Sequence, residues 1–320
     1  MLYRGRFAPS PTGWLHLGNA RTALISWWRA RKNLGTFVIR VDDLDSTRTV
    51  PETVLGNLDE LRWLGIDWDE GPDIGGPYGP YRQSQLNDRY EAALQFLKSN
   101  GLTFPCFLSR KDLRTLSSAP HGQPIVYGEA ERQANKLTSP QKISSGKLPS
   151  TRLRISESIV NFVDILTGTK SASALESVGD ILVCRADGAW AYHFATVLDD
   201  AAMGITEVVR GDDLLSSTPT QIVLYKLLGS SPPVFAHVPM VHTAEGKRMS
   251  KRTGSLTLRA LREAGVPANR IVGLLGFSLG LIEKPEPLSA IDLLPYFDID
   301  RIRPRPFRLS DSHLTWLKTF

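Results

Sequence analysis

The chain has 320 residues, is 42% apolar and 22% charged, and carries a formal net charge of +5. That is enough apolar material for two or three packed units, which excludes a disordered chain, and so mild a positive balance permits a polyanionic partner without requiring one. Two distant cysteines, Cys106 and Cys184, exclude a disulfide framework and suit a reducing, cytoplasmic setting; the longest apolar run, IVGLLGFSLGLI, falls short of the about 20 residues that cross a bilayer, so no membrane partner is expected.

In chain order, LYRGRFAPS reads as a short strand ended by proline, and HLGNARTALISWWRARK as a helix, because Ala20, Leu24, Ile25 and Trp28 recur at helical spacing. The tight turn between them leads into a helix start, where unpaired N–H groups and the positive dipole end form an anion site. His16 and Asn19 sit at that mouth. The spacing is neither GxxxxGK[ST] nor GxGxxG, which removes the P-loop and dinucleotide readings, and a lone loop histidine is more often structural than catalytic. FVIRVDDLDSTR reads as a buried strand with Asp42, Asp43 and Asp45 at its carboxyl end, facing the crevice where open α/β sheets bind ligands. The alternative is an acidic loop in which Asp45 or Ser46 caps the next helix.

Further along, RKDLRTLSSAPHGQP and KLTSPQKISSGKLPS are loop-like in composition, and ILVCRADGAWAY reads as a hairpin with Asp187-Gly188 as its two-residue turn, delivering Tyr192 to a pocket. GKRMSKRTGS places Lys247, Arg248, Lys251 and Arg252 between two glycines. Such a loop suits a migrating polyphosphate charge, although on its own it is usually a solvated turn. LRALREAG, NRIVGLLGFSLG and AIDLLPYF read as short amphipathic helices. The tail DIDRIRPRPFR offers Arg301, Arg303, Arg305 and Arg308 either to RNA phosphates or simply to solvent.

Together, APSPTGWLHLGN and the distant KRMSKR resemble the HIGH and KMSKS signatures of class I aminoacyl-tRNA synthetases. RFAPSPTG, RVDDLDSTR, LGIDWDEGP, YRQSQLNDRY, AYHFATVLDD and EVVRGDDLLSSTPTQIVLYKLLG resemble the glutamyl-tRNA synthetase branch in sequence and order. The resemblance runs from Arg6 to Trp316 and is weakest across residues 115–150. A full-length member of that branch continues into a helical anticodon-binding region, whereas this chain stops at HLTWLKTF, which is similar to the glutamyl-queuosine tRNA(Asp) synthetase family.

The resemblance implies an α/β fold: a Rossmann-like parallel-sheet catalytic domain with an inserted subdomain, a small C-terminal helical stem-contact-like domain and no anticodon-binding domain. It places the first catalytic half at residues 1–100, the inserted acceptor-contacting part at 101–180, the second half at 181–240, and the KMSKS-like loop with the helical part at 241–320. It implies ATP-dependent activation of L-glutamate to glutamyl-adenylate and transfer to queuosine in the anticodon of tRNA(Asp). The alternatives are a shortened glutamyl-tRNA synthetase charging tRNA(Glu) and a binding-only paralogue that lost adenylation. A monomer is expected.

By the same resemblance His16, Gly18, Asn19, Lys247, Arg248 and Lys251 contact ATP, with His16, Asn19 and Lys251 catalytic, while Arg6, Ala8, Ser10, Asp42, Tyr192 and Arg210 hold glutamate. Asp42 stands where the family normally carries a glutamate, one methylene longer. Without the resemblance, Tyr192 reads as a core aromatic and Arg210 as a strand-end ion pair. Mg²⁺ is expected on the phosphates. Zinc is not expected, because Leu108 follows Cys106 where relatives carry a second cysteine, and VYGEAER supplies Tyr127 but no further thiol.

Overall fold

The computed structural model describes residues 2–116, 126–156, 159–177, 179–244, 246 and 256–319, with backbone alone at Arg110. Strand β1 (Arg4–Phe7) ends at the Ala-Pro-Ser-Pro turn, and α1 (Leu17–Lys32) follows, its Leu17, Ala20, Leu24 and Trp28 buried on one face as their spacing predicts. Arg29, Arg31 and Lys32 occupy the last turn of α1, complementing its negative dipole end. β2 (Thr36–Ile39) returns parallel to β1, with Arg4 opposite Thr36 and Phe7 opposite Ile39.

The acidic loop then leads to α2 (Pro51–Trp63), whose N-cap is Val50 with no side-chain cap. The expectation that Asp45 or Ser46 caps this helix is therefore corrected: Pro51, which has no N–H to satisfy and a preset φ, opens it instead. Asp45 accepts hydrogen bonds from Thr47 Oγ1 and Arg48 Nε, both at 2.6 Å.

After α3 (Asn87–Ser99) come β3 (Thr103–Cys106), α4 (Arg110–Leu116), α5 (Glu129–Ser144), β4 (Ser150–Leu153), β5 (Ile159–Asp164), β6 (Gly168–Ser173), α6 (Ala174–Ser177) and β7 (Ile181–Cys184). Next are α7 (Tyr192–Ala202), β8 (Glu207–Gly211), α8 (Thr218–Leu227), β9 (Val234–Val238) and the two-residue β10 (Val241–His242). The main sheet has the order β2-β1-β8-β9-β5-β6 and is parallel except for the β5-β6 hairpin at its edge. A smaller antiparallel sheet has the order β3-β4-β7.

This topology cuts the chain differently from the boundaries drawn on the sequence. β5 and β6 fall inside the expected insertion 101–180 yet extend the main sheet, because Asp164 pairs with Phe235 of β9. β7 falls inside the expected second half 181–240 yet completes the small sheet, pairing with β4. The expected hairpin is likewise shorter than read. Arg185 N–H donates to Ala189 O at 2.8 Å and Gly188, at φ +85°, closes the turn, which therefore includes Ala186 as well as Asp187 and Gly188. Beyond the single bridge of Cys184 with Trp190 the chain turns into α7, so Tyr192 is carried by the first turn of a helix and not by a strand. In the small sheet, Cys106 Sγ lies 3.4 Å from Tyr127 Oη, and Leu108 and Leu113 pack around them.

The last part contains α9 (Leu258–Glu263), α10 (Ala268–Leu279), α11 (Ala290–Leu293), β11 (Phe307–Arg308) and α12 (Asp311–Lys318). These helices share one apolar core with α1 and α2: Trp28 stacks on Phe297 at 5.2 Å and donates Nε1–H to Ala290 O at 2.8 Å. β11 pairs with β10, which ties the tail to the loop preceding the basic segment, while Arg301, Arg303, Arg305 and Arg308 all remain exposed. Gly273 packs directly against the backbone carbonyl of Glu286, so a Cβ there has no room. Gly273→Ala is expected to lower stability by about 1–3 kcal/mol or more in a denaturant titration; an unchanged midpoint would contradict this packing. No helix among the described residues is long and apolar enough to cross a membrane.

Candidate active site

β1 and β8 are neighbours, while β2 lies on the other side of β1, so the strand order reverses at β1 and a crevice opens beyond the carboxyl ends of these strands. Ala8, Pro9 and Ser10 continue β1 into that crevice, Arg210 and Gly211 end β8 beside it, and α1 points its N-terminus into it. The resulting cavity measures about 340 Å³. Every sequence-predicted site residue that the structure describes lines it: Arg6, Ala8, Ser10, His16, Gly18, Asn19, Asp42, Tyr192 and Arg210. Lys247, Arg248 and Lys251 lie outside the described residues. The chain re-enters beside the site all the same, since Thr257 bridges His16 and Leu258 N–H donates to Leu15 O at 2.7 Å.

His16 is itself the N-cap of α1. Its Nδ1 accepts from Gly18 N–H at 3.1 Å and Asn19 N–H at 3.3 Å, and Asn19 Oδ1 accepts from His16 N–H at 3.2 Å, forming a reciprocal capping box. The sequence suggested bare N–H groups at this mouth; the structure has these two already engaged by the histidine. With Nδ1 accepting, the neutral ring carries its proton on Nε2. A cavity-facing anion therefore meets a histidine in one fixed tautomer at the positive end of a helix dipole.

Behind the opposite wall runs a buried chain of charges. Arg40 donates to Asp42 Oδ1 at 2.7 Å and to Asp200 Oδ1 at 2.6 Å, and Asp200 also accepts from Arg6 Nε and Nη2 at 3.3 Å each. Asp199 lies 4.0 Å from Arg40 Nε in the same cluster and is bonded as well by Gln83, Arg89 and Tyr90. Arg210, only 5% exposed, takes its acceptors from neutral groups: His237 Nε2 at 3.0 Å, Gln221 Oε1 at 2.6 Å, Thr218 Oγ1 at 2.9 Å and Leu214 O at 3.5 Å. Among the described residues it forms no ion pair. In this cluster four guanidiniums, Arg6, Arg40, Arg89 and Arg210, thus face three carboxylates, Asp42, Asp199 and Asp200. A buried cation left without a counter-charge asks for an anionic ligand.

Arg40, Asp200, Thr218, Gln221 and His237 carry much of this arrangement and were not singled out from the sequence. Their signal was present: Arg40 and His237 each interrupt an apolar strand, where a polar side chain needs a buried partner. Asp43, by contrast, faces away from the chemistry, accepting from Ser84 N–H at 2.8 Å and Arg82 Nη2 at 3.0 Å, and fixes the loop ahead of α3. A second cavity of about 330 Å³ shares Ser10, Asp42 and Tyr192 with the first and is lined toward the small sheet by Trp190, Arg48 and Arg185.

A model of the class I tRNA synthetases (E and Q), catalytic domain, matches residues 3–307. The chain is 43% identical over 308 residues to the glutamyl-Q tRNA(Asp) synthetase of Symbiobacterium thermophilum, covering 95% of each chain. It is 44% identical over 309 residues to the glutamyl-Q tRNA(Asp) synthetase of Nitratidesulfovibrio vulgaris, again over 95% of each. The crystal structure of a glutamate tRNA ligase from Elizabethkingia meningosepticum, in complex with its amino acid, superposes with a TM-score of 0.85 at 28% identity, covering 99% of this chain and 69% of that one.

Proposed function

Because the chain belongs to the class I tRNA synthetases of the glutamate and glutamine branch, we propose that it uses ATP to activate L-glutamate and passes the glutamyl group to queuosine in the anticodon of tRNA(Asp). The observation that carries this reading is the excess guanidinium charge at Arg210, in one cavity with Asp42 and with the capped start of α1. Glutamate brings two carboxylates and one ammonium, a net charge that matches the excess; glutamine is neutral overall and does not.

In the first step an oxygen of the α-carboxylate attacks the α-phosphorus of ATP and the bond to the bridging oxygen of the β-phosphate breaks, giving glutamyl-adenylate and pyrophosphate. This reaction needs alignment and charge neutralisation more than a nucleophilic side chain. Arg210, with Arg6 beside it, orients the side-chain carboxylate through a planar fork, and Asp42 takes the α-ammonium. His16 Nε2–H and the α1 dipole face the phosphates, and Lys251, supported by Lys247 and Arg248, follows the departing pyrophosphate. Mg²⁺, when bound, would sit on the phosphate oxygens and neutralise part of their charge. In the second step a hydroxyl of the acceptor nucleoside attacks the adenylate carbonyl and AMP leaves. The neighbouring cavity, sharing Ser10, Asp42 and Tyr192, gives that nucleoside an approach to the same carbon. Both glutamyl-Q relatives align over 95% of their length, which favours queuosine of tRNA(Asp) over tRNA(Glu) as acceptor.

Glutamate-dependent exchange of pyrophosphate into ATP, with no RNA present, tests the first step. Exchange with glutamate and none with glutamine is expected; exchange with neither would overturn it, exchange that appears only when tRNA(Glu) is added would support a shortened glutamyl-tRNA synthetase, and silence in that arm too would support a binding-only paralogue. The pH dependence follows from Asp42, whose carboxyl burial pushes up to about 6 against the pull of Arg40. A raised carboxyl pKa leaves the anion intact above pH 6 and protonates it below. The counter-charge for the ammonium is then lost, and the KM for glutamate is expected to rise by about tenfold per unit as pH falls below 6. Asp42→Asn should raise the KM at neutral pH and remove this dependence. A KM flat from pH 5 to 7 in the unaltered protein would contradict the role.

A further inference from the structure

Arg210 can recognise a carboxylate only if its fork is held still and its charge is left unspent, and the residues behind it meet both conditions. In the parallel pairing of β8 with β9, Arg210 lies directly opposite His237. His237 is fully buried, and so is Asp164 at the end of β5 on the other side of β9. Asp164 Oδ2 accepts from His237 N–H at 3.0 Å and lies 2.6 Å from His237 Nδ1. Asp164 Oδ1 meanwhile accepts from Leu166 N–H, Thr167 N–H and Thr167 Oγ1–H at 2.9–3.1 Å. A carboxylate fixed by so many donors cannot rotate, and facing Nδ1 it dictates which nitrogen bears the proton. Nδ1–H donates to Asp164, so Nε2 keeps its lone pair and accepts from Arg210 Nε–H at 3.0 Å, with Thr218 Oγ1 3.1 Å from the same nitrogen. Gln221 and Thr218 take one hydrogen each from Nη1 and Nη2, and the Phe235 ring lies beneath, 5.1 Å from the guanidinium carbon.

We propose that Asp164 and His237 form a two-residue positioning device that holds Arg210 through a neutral imidazole, orienting its guanidinium for the glutamate side-chain carboxylate without neutralising it. A carboxylate placed directly against Arg210 would orient it equally well but cancel the charge the ligand needs. Inserting a neutral ring transmits the fixed geometry of Asp164 and leaves the guanidinium unpaired. The protonation states agree with this geometry. Burial pushes His237 below the ordinary histidine range, against its hydrogen bond to Asp164 and with the help of the Arg210 charge. Burial opposes the Asp164 charge, yet the bonds from His237 and Thr167 outweigh it and hold that carboxyl below its usual range.

The inference rests on the glutamate reading, so its test has one arm that needs no activity. In the ¹⁵N spectrum of the ring nitrogens, His237 in the unaltered protein is expected as the neutral Nδ1–H tautomer, and Asp164→Asn, whose amide can donate to Nδ1, is expected to switch it to Nε2–H. An Nε2–H or doubly protonated ring in the unaltered protein overturns the proposal, whatever the substrate proves to be. In the kinetic arm, His237→Asn keeps a donor toward Asp164 and loses the acceptor toward Arg210. The KM for glutamate is expected to rise about 10- to 100-fold and the preference for glutamate over glutamine to fall by a similar factor, with the KM for ATP within about twofold. His237→Gln, which can return an acceptor to the Nε2 position, is expected to recover most of the loss. Equal impairment of the two variants, or a parallel change in the KM for ATP, would mean that His237 serves packing alone and would overturn the proposal. Absence of glutamate-dependent exchange in the unaltered protein defeats the functional reading instead, and the ring-nitrogen spectrum still decides the device.

Discussion

Arg210→Met is expected to raise the KM for glutamate by a factor of 30 to several thousand, since truncating one partner of a buried hydrogen-bonded charge pair costs about 2–5 kcal/mol. The loss is expected to fall on glutamate alone, leaving the KM for ATP near its original value, and to erase most of the preference for glutamate over glutamine. The reason is local: Arg210 is nine-tenths buried and more, is held by four neutral acceptors, and forms no ion pair among the described residues. Methionine fills a similar volume, so melting temperature serves as the control for folding. Initial-rate exchange kinetics with each amino acid measure the effect. A variant that keeps its glutamate KM, or that weakens ATP and glutamate alike, would show that Arg210 is a structural cation.

Lys251→Ala is expected to act on the opposite substrate and on the opposite parameter. It should lower the rate of adenylate formation by about 10²- to 10³-fold, the size of effect seen when one preorganised stabiliser of developing charge is removed, with glutamate binding within about threefold of the original. This lysine lies outside the described residues, and the prediction rests on its place in KRMSKR and on where the chain returns, with Thr257 against His16 and Leu258 against Leu15. Single-turnover formation of labelled adenylate, read beside equilibrium binding of glutamate, separates the two. Equal losses in both would refute the assignment.

How far the sequence foretold these arrangements can be judged residue by residue. The strand-turn-helix from Arg4 to Lys32 was legible because its apolar spacing and its punctuation by proline and glycine agree, and the motif residues it carries do converge on one cavity. The membership of β5 and β6 in the main sheet was not legible. NFVDILTGTKSAS alternates and turns like any surface hairpin, and only the distant contact of Asp164 with Phe235 recruits it. The same long-range topology concealed the support of the site. Arg40, Asp164 and His237 could be seen as polar interruptions of apolar strands, but the pairing of Asp164 with His237 and Arg210 depends on β8, β9 and β5 lying side by side, and that of Arg40 on α7 bringing Asp199 and Asp200 to it. His16 was read as a group at a helix mouth with bare N–H donors, whereas it closes that mouth itself, a choice that depends on side-chain geometry and not on spacing.

Acceptor choice is decided by transfer of labelled glutamate, in the presence of ATP, to tRNA(Asp) carrying queuosine, to the same tRNA lacking it, and to tRNA(Glu). Labelling of the queuosine-bearing tRNA(Asp) alone is expected. Labelling of tRNA(Glu), or of tRNA(Asp) regardless of queuosine, would contradict it.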